Sequence, residues 1–144
     1  MTYATQTDLI DRFGSKELMQ LTDRSSTPAT RINATVVARA LTDATALADS
    51  YLGKRYQLPI TGTVPPTLTK VTADIARYFL HGDSVEKDDP VDIAHRDAMR
   101  WLKDVSTGMV SLEVAGVEAP SEGGGGVRVE ASDRIFSRAS LRDF

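Results

Sequence analysis

The side chains that could carry out chemistry in this chain are few. Its two histidines, His81 and His95, have no carboxylate at the spacing that HExxH-type zinc sites use. The acidic loop of residues 86–92 could attract a divalent cation, yet it lacks the central glycine and the distal glutamate of a calcium-binding loop. We therefore expect structural or solvated residues at these positions, and no metal site.

Nucleophilic and phosphate-binding chemistry also lack their usual residues. Cysteine is absent, which excludes a thiolate nucleophile, a disulfide and a cysteine-ligated metal. No GxSxG elbow surrounds any serine, and the glycines at 123–126 are not followed by the GK[ST] of a phosphate-binding loop. The sequence therefore predicts that the protein is not an enzyme and binds no cofactor.

Charge and hydropathy narrow the classes of protein to which this chain could belong. The 144 residues fit one domain with a sizeable core, and the net charge is -3 with a pI near 5.3. A protein that binds nucleic acid through phosphate neutralisation normally has a basic surplus, so a helical DNA-binding regulator is the weaker alternative. No run of 18 apolar residues and no signal peptide is found, and we expect no association with a membrane.

Several residues mark where helices begin. Ser15, Asn33 and Asp89 are suitable N-caps, because their side chains can accept from the free N–H groups of a first helical turn. Pro66 and Pro90 suit the first helical position, where proline loses no hydrogen bond. Each of these residues precedes apolar side chains at intervals of three and four, the period of an amphipathic helix.

Other residues mark where the helices end. Gly14 and Gly108 can adopt the left-handed conformation that caps a helix, and His81 with the glycine after it closes a third. Pro59 is expected to end the long central helix, because proline and the residue before it disfavour helical backbone. The predicted helices cover residues 7–13, 16–21, 34–56, 66–81 and 90–107.

The predicted helices place most of the large aromatic side chains on apolar faces. We expect these side chains to pack in the core: Tyr51, Tyr56, Tyr78, Phe79 and Trp101. Three arginines could either pair with carboxylates of another subunit or coat the helices, and the sequence leaves both readings open: Arg55, Arg77 and Arg100.

The last quarter of the chain has a different composition. Apolar and polar residues alternate in 109–114, which predicts one short strand, and 115–126 ends in four glycines, which is typical of a linker. We therefore divide the chain into a helical domain (1–114), a Gly-rich linker (115–126) and a C-terminal tail (127–144). The predicted fold is mainly α, a small helical bundle with a short β element and an extended C-terminal tail.

Short blocks along residues 3–112 also carry a family resemblance. Their order and spacing are more specific than any one of them: Tyr3-Ala4-Thr5, Asp8-Leu9-Ile10, Arg12-Phe13-Gly14, Glu17-Leu18, Gln20-Leu21-Thr22-Asp23-Arg24, Ala40-Leu41, Tyr51-Leu52, Arg55-Tyr56, Leu58-Pro59, Pro66-x-Leu68, Asp74-Ile75-Ala76-Arg77-Tyr78, Asp97-Ala98-x-Arg100-Trp101-Leu102-Lys103 and Gly108-x-Val110-Ser111-Leu112. Together they resemble the neck protein family of Mu-like phages.

This resemblance implies a structural virion protein, a head-to-tail connector with a fold of the phage head-to-tail adaptor type. It implies a homo-oligomeric ring of about twelve copies that is attached below the portal protein and extends the DNA channel. The implied partners are further copies of the chain, the portal, a stopper or tail-terminator protein, and DNA that passes through the lumen without sequence-specific binding. The implied location is the neck of the virion, after synthesis in the host cytoplasm.

The tail combines large apolar side chains with arginines, beyond the glycine linker. Such a segment is expected to dock on a neighbouring subunit or an adjacent ring; the alternatives are a disordered terminus and a strand folded back on its own domain. The predicted partner-binding residues are Arg134, Ile135, Phe136, Arg138, Leu141, Arg142 and Phe144.

Overall fold

Five α-helices form the helical part of the chain, as a computed structural model that describes residues 1–114 shows. This confirms the mainly α fold that the sequence predicts. A 3-10 turn, Gly82–Ser84, follows the fourth helix. The helices are α1 (Gln6–Phe13), α2 (Ser15–Thr22), α3 (Ala34–Leu52), α4 (Pro66–His81) and α5 (Pro90–Thr107).

Local capping sets the start of α1 and its separation from α2. The Thr5 hydroxyl accepts from the Asp8 backbone N–H at 3.2 Å, and the Asp8 carboxylate accepts from the Thr5 N–H at 2.7 Å, which is a capping box. Gly14 then turns the chain at φ +89°, as predicted. Ser15 is the first residue of α2, and its predicted role as N-cap was wrong because Gly14 occupies the cap position.

The N-terminus of α3 follows the prediction, but its C-terminus does not. The Asn33 side chain accepts from the Thr35 and Val36 N–H groups at 3.1 and 3.4 Å. The helix ends at Leu52, four residues before the predicted end at 56. Gly53 is the C-cap, residues 53–55 form a turn, and Tyr56 after them is only 4% exposed, so the helix ends well before Pro59.

Proline begins both long C-terminal helices at their first position. Asp89 precedes α5, but its carboxylate accepts from the Glu86 N–H at 3.0 Å and makes no bond to the first turn of the helix. Its predicted capping bond was therefore wrong: this side chain closes the preceding loop instead. At the other end of α5, Gly108 is left-handed at φ +88°, as predicted.

The core lies where α3, α4 and α5 pack against one another, with α1 and α2 packed on α3 and α4. Helix α4 is the most enclosed, since all six residues from 71 to 76 are buried. None of the helices within residues 1–114 is both long and apolar enough to cross a membrane. The largest fully buried side chains are Leu9, Leu18, Leu52, Ile60, Leu68, Ile75 and Leu102.

The predicted short β element is reduced to one residue. Within residues 109–114 only Val114 forms a β-bridge, and no strand of two or more residues is present there. The Leu112 N–H donates to the Tyr56 hydroxyl at 2.8 Å, so a side chain satisfies a backbone group that a strand neighbour would otherwise bind. Leu112 and Val114 are both buried, so the described chain is still packed against the bundle at its last residue.

Candidate functional site: the contact surfaces of the helical bundle

A cluster of charged side chains attaches the two N-terminal helices to α4. The Arg77 guanidinium donates to both carboxylate oxygens of Glu17, at 2.6 and 3.1 Å, and lies 4.4 Å from the centre of the Phe13 ring. His81 Nε2 lies 3.2 Å from the same carboxylate. Burial opposes ionisation of Glu17, but the hydrogen bonds from Arg77 and His81 outweigh it and lower its pKa. Arg77 is therefore paired within its own chain.

The second histidine packs against an aromatic ring. The His95 imidazole stacks on Tyr78 with ring centres 3.9 Å apart and planes 13° apart. Burial lowers the pKa of His95, although the nearby Asp92 carboxylate acts in the opposite direction. Among residues 1–114, no group of three or more histidine and acidic side chains is arranged to hold a metal ion.

These rings belong to an exposed aromatic surface, which we call the Phe79 patch: Tyr78, Phe79 and His95. Phe79 is 37% exposed, with its ring centre 6.4 Å from that of Tyr78 and 6.5 Å from that of His95. The prediction that Phe79 packs in the core was wrong. This end of α4 is less enclosed than residues 71–76: Arg77 and Tyr78 are half-buried and Phe79 is exposed.

The acidic loop before α5 is held by one arginine. Arg96 lies 2.6 Å from an Asp88 carboxylate oxygen and 3.3 Å from one of Asp92. The Asp88 N–H also donates to Asp92 at 3.0 Å, and the Asp88 backbone is left-handed at φ +67°. Two of the carboxylates that could have attracted a cation are thus engaged by a guanidinium, in agreement with the solvated loop that the sequence predicts.

Asp23 organises the loop between α2 and α3, a role that sequence reasoning missed. Its carboxylate accepts from the Ser25 N–H and hydroxyl at 3.2 and 2.9 Å and from the Thr30 N–H at 3.0 Å. The hydrogen bonds from Thr30 and Ser25 lower the pKa of Asp23. The Asp-x-Ser spacing is typical of a turn in which an aspartate bonds to its own following backbone, and could have indicated this.

Two blocks of the family resemblance that are distant in sequence come together at the end of α5. Tyr56 binds the backbone of Leu112, as described above, and the Arg55 guanidinium lies directly against Gly108. A β-carbon at position 108 would overlap this guanidinium, and the left-handed backbone disfavours one there in any case. Glycine at 108 therefore allows both the end of α5 and the approach of Arg55.

A concave surface surrounds Trp101, and we call it the Trp101 groove. A cavity of about 420 Å³ lies between residues 63–67 and residues 110–113, and a second of about 230 Å³ lies between α4 and α5. Both are lined by Thr67 and Trp101, so they adjoin. The apolar lining residues are Val64, Pro65, Pro66, Val71, Ala98, Trp101, Val110 and Leu112.

Acidic side chains outnumber basic ones along this groove. Among residues 1–114, three carboxylates line it, those of Asp74, Asp97 and Glu113, against one ammonium, that of Lys70. Lys70 binds Asp74 at 2.7 Å, while Asp97 lies 3.8 Å from the exposed Arg100. Trp101 is half-buried, so the prediction that it packs in the core holds for only part of its surface.

The predicted partner-binding residues all lie outside the described part of the chain, so their placement stays a prediction. Val114, the last described residue, follows directly on Glu113 at the edge of the Trp101 groove. The residues concerned are Arg134, Ile135, Phe136, Arg138, Leu141, Arg142 and Phe144.

Comparison with known proteins identifies the family. A family model described as "Bacteriophage Mu, Gp36" matches residues 3–131. The chain is 34% identical to "Mu-like prophage FluMu protein gp36" of Haemophilus influenzae, over 99% of this chain and 97% of that protein. It is also 34% identical to "Gene product J" of Escherichia phage Mu, over 96% of each chain. The chain therefore belongs to the Gp36 family of Mu-like phages and prophages.

Proposed function

We propose that this protein is a head-to-tail connector of a Mu-like phage virion. Copies of the chain form a ring below the portal, extend the channel through which DNA passes, and offer a surface to which a stopper or tail-terminator protein binds. The protein acts through assembly and makes or breaks no covalent bond.

The family match over residues 3–131 carries this proposal. Relatives from phage Mu and from a Mu-like prophage align with nearly the whole chain, so the family relationship extends beyond the helical bundle into the linker. The short blocks quoted from the sequence resemble neck proteins, and the mainly helical bundle fits a small adaptor. The neck location, the ring and its partners are the proposed steps beyond family membership.

Surface features of the bundle agree with a role in assembly. A ring built from identical copies needs two different contact surfaces on each subunit, because its interfaces are heterologous. The Phe79 patch is an exposed aromatic surface, and the Trp101 groove is a second, concave one. Apolar surface of this kind is typical of interaction sites when it is contiguous.

The proposal is tested by removing the gene from a phage or prophage that carries it and examining the particles by electron microscopy. We expect DNA-filled heads and free tails, with joined particles restored when the gene is supplied from a plasmid. A rescue with Phe79→Glu is expected to join fewer heads to tails than a rescue with Met109→Glu, which changes another highly exposed side chain. Joined, infectious particles in the absence of the gene would exclude a connector.

A further inference from the structure

The Trp101 groove has an apolar floor, an acidic excess and an open side, and no contact described above fills it. Its Trp101 side chain is half-buried between two cavities of about 420 and 230 Å³. We propose that this groove binds the C-terminal segment, residues 134–144, of a second copy of the same chain. The inference rests on the proposed ring, in which each subunit would donate one segment and receive another.

The chemistry of the segment is complementary to that of the groove. Ile135, Phe136, Leu141 and Phe144 supply apolar side chains for the floor around Trp101. Residues 134–144 contain three arginines, at intervals of four, and one acidic residue, Asp143. The groove has three carboxylates and one lysine, and that lysine is already bound to Asp74. Asp97 and Glu113 are therefore the acidic groups that the arginines would approach.

The number of residues between the groove and the C-terminal segment also favours this occupant. Val114, the last described residue, is next to Glu113, which lines the groove. Nineteen residues, 115–133, then separate this point from Arg134, and four of them are consecutive glycines. A Gly-rich chain of this length has an r.m.s. span of roughly 22–26 Å, about twice the diameter of a helix. It is long enough to cross a subunit boundary and reach the groove of the next copy.

If each subunit donates its segment to the next one, every contact in the ring has the same direction. The donating segment and the receiving groove are different surfaces, so each copy would bind one neighbour through its segment and the other through its groove. Each contact is small, but a closed ring makes all of them simultaneous, and the effective concentration of each segment rises once its subunit is in place. The segment would thereby retain subunits in the ring without an extensive interface between the bundles.

The direct test is binding of a synthetic peptide of residues 127–144 to the purified full-length protein, at a concentration where light scattering shows monomers. Trp101 is the only tryptophan in the chain and the peptide has none, so its emission reports on the groove. We expect saturable binding with a change in Trp101 emission. A peptide with Phe136→Ala and Phe144→Ala should bind at least about tenfold more weakly, because it loses two large apolar side chains.

Binding to protein variants, followed by the anisotropy of a labelled peptide, locates the site. Thr67→Arg places a bulky cation where the two cavities meet, and we expect it to weaken peptide binding about tenfold or more. Thr42→Arg makes the same change at an exposed threonine of α3 that lines a separate cavity, and it should bind the peptide like the unaltered protein. Equal weakening by both changes, or no saturable binding at all, would overturn the proposal.

The same assay distinguishes a second copy from the chain's own segment. Full-length protein with Phe136→Ala and Phe144→Ala should bind the peptide within about twofold of the unaltered protein. If it binds at least about tenfold more tightly, the segment of the same chain occupies the groove and the proposal is wrong. These results do not depend on where the protein lies in a virion, so particles that lack it would refute the connector function and leave the groove assignment unaffected.

Discussion

At the scale of single residues, Glu17 is the side chain on which the attachment of α2 to α4 depends most. It is partly buried, and both its carboxylate oxygens accept from Arg77 while one also lies within hydrogen-bonding distance of His81. A partly buried carboxylate stays ionised only while these partners bind it, because burial without them favours the neutral form. The cluster also orders Phe13 beneath the guanidinium.

We predict that Arg77→Met destabilises the protein by about 1–3 kcal/mol, because it leaves the partly buried Glu17 without its main donor. Urea unfolding followed by circular dichroism measures the change. Arg100→Met is the matched control, since its pair with Asp97 spans 3.8 Å and both side chains are largely exposed. That variant should unfold within about 0.5 kcal/mol of the unaltered protein, and an equal loss in both would contradict the assigned role of the cluster.

The same residue predicts a dependence of stability on pH. The pKa of Glu17 is lower in the folded protein than its ordinary value of 4.5, so the folded state favours its ionised form. Its contribution is therefore fully present above pH 4.5 and is lost as the pH falls through the lowered folded value. In urea unfolding at a series of pH values, Glu17→Gln should show a smaller acid-side loss of stability than the unaltered protein. Parallel curves would show that Glu17 does not contribute.

At the scale of elements, local signals in the sequence fix most helix ends, and distant contacts fix the rest. Some helix ends are set by residues that act on the adjacent helical turn, so their effects could be predicted. These residues are Gly14, Asn33, Pro66 and Pro90. The end of α3 at Leu52 was not predicted, because the helical period alone does not show that Tyr56 is buried and bonded to Leu112, fifty-six residues away. Nor does the alternation of residues 109–114 show that the Leu112 N–H binds this side chain and not a neighbouring strand.

The Phe79 patch and the Trp101 groove also depend on contacts between segments that are distant in sequence. The helical period predicts that Phe79 faces a neighbour, but only the packing of α5 decides how much of the ring is covered. The Trp101 groove joins residues from α4, α5 and 110–113, so no single segment could have indicated it. The acidic loop, in contrast, could be predicted as a structural feature, since the arginine that binds it lies in the second turn of the following helix.

We predict that Tyr56→Phe costs about 1–3 kcal/mol of stability and loosens residues 109–114, because the buried Leu112 N–H would lose its acceptor. Urea unfolding gives the first quantity, and hydrogen exchange of the Leu112 amide gives the second. Tyr51→Phe is the control: it removes the same hydroxyl from a half-buried tyrosine whose hydroxyl makes no hydrogen bond with another residue of 1–114. Unchanged exchange at Leu112 in Tyr56→Phe would rule out this bond as the anchor of the segment.

At the scale of the whole molecule, the proposed function requires each subunit to fold by itself and to assemble into a ring in a later step. The bundle has its own core, whereas its contact surfaces are small and distributed over different sides. We therefore expect the purified protein to be a helix-rich monomer or small oligomer, and to form a ring only on the capsid. Circular dichroism and light scattering test this: a strand-dominated spectrum or an abundant stable ring without the portal would contradict it.

The net charge of -3 leads to a prediction about DNA. A channel through which DNA slides should hold it weakly, so we expect only weak binding of duplex DNA by the purified protein at physiological salt. Binding measured at several salt concentrations tests this, because many phosphate contacts produce a steep loss of affinity as salt rises. Tight and steeply salt-dependent binding would instead favour a DNA-binding regulator.

The central claim is that the protein forms a ring at the neck of the virion, and cryo-electron microscopy of intact particles tests it most directly. Density for the helical bundle, in a ring of about twelve copies between the portal and the tail, is the predicted result; for identification, a tagged copy of the protein should add density to that ring alone. Particles whose necks contain no copy of this chain, or that carry it elsewhere, would contradict the claim.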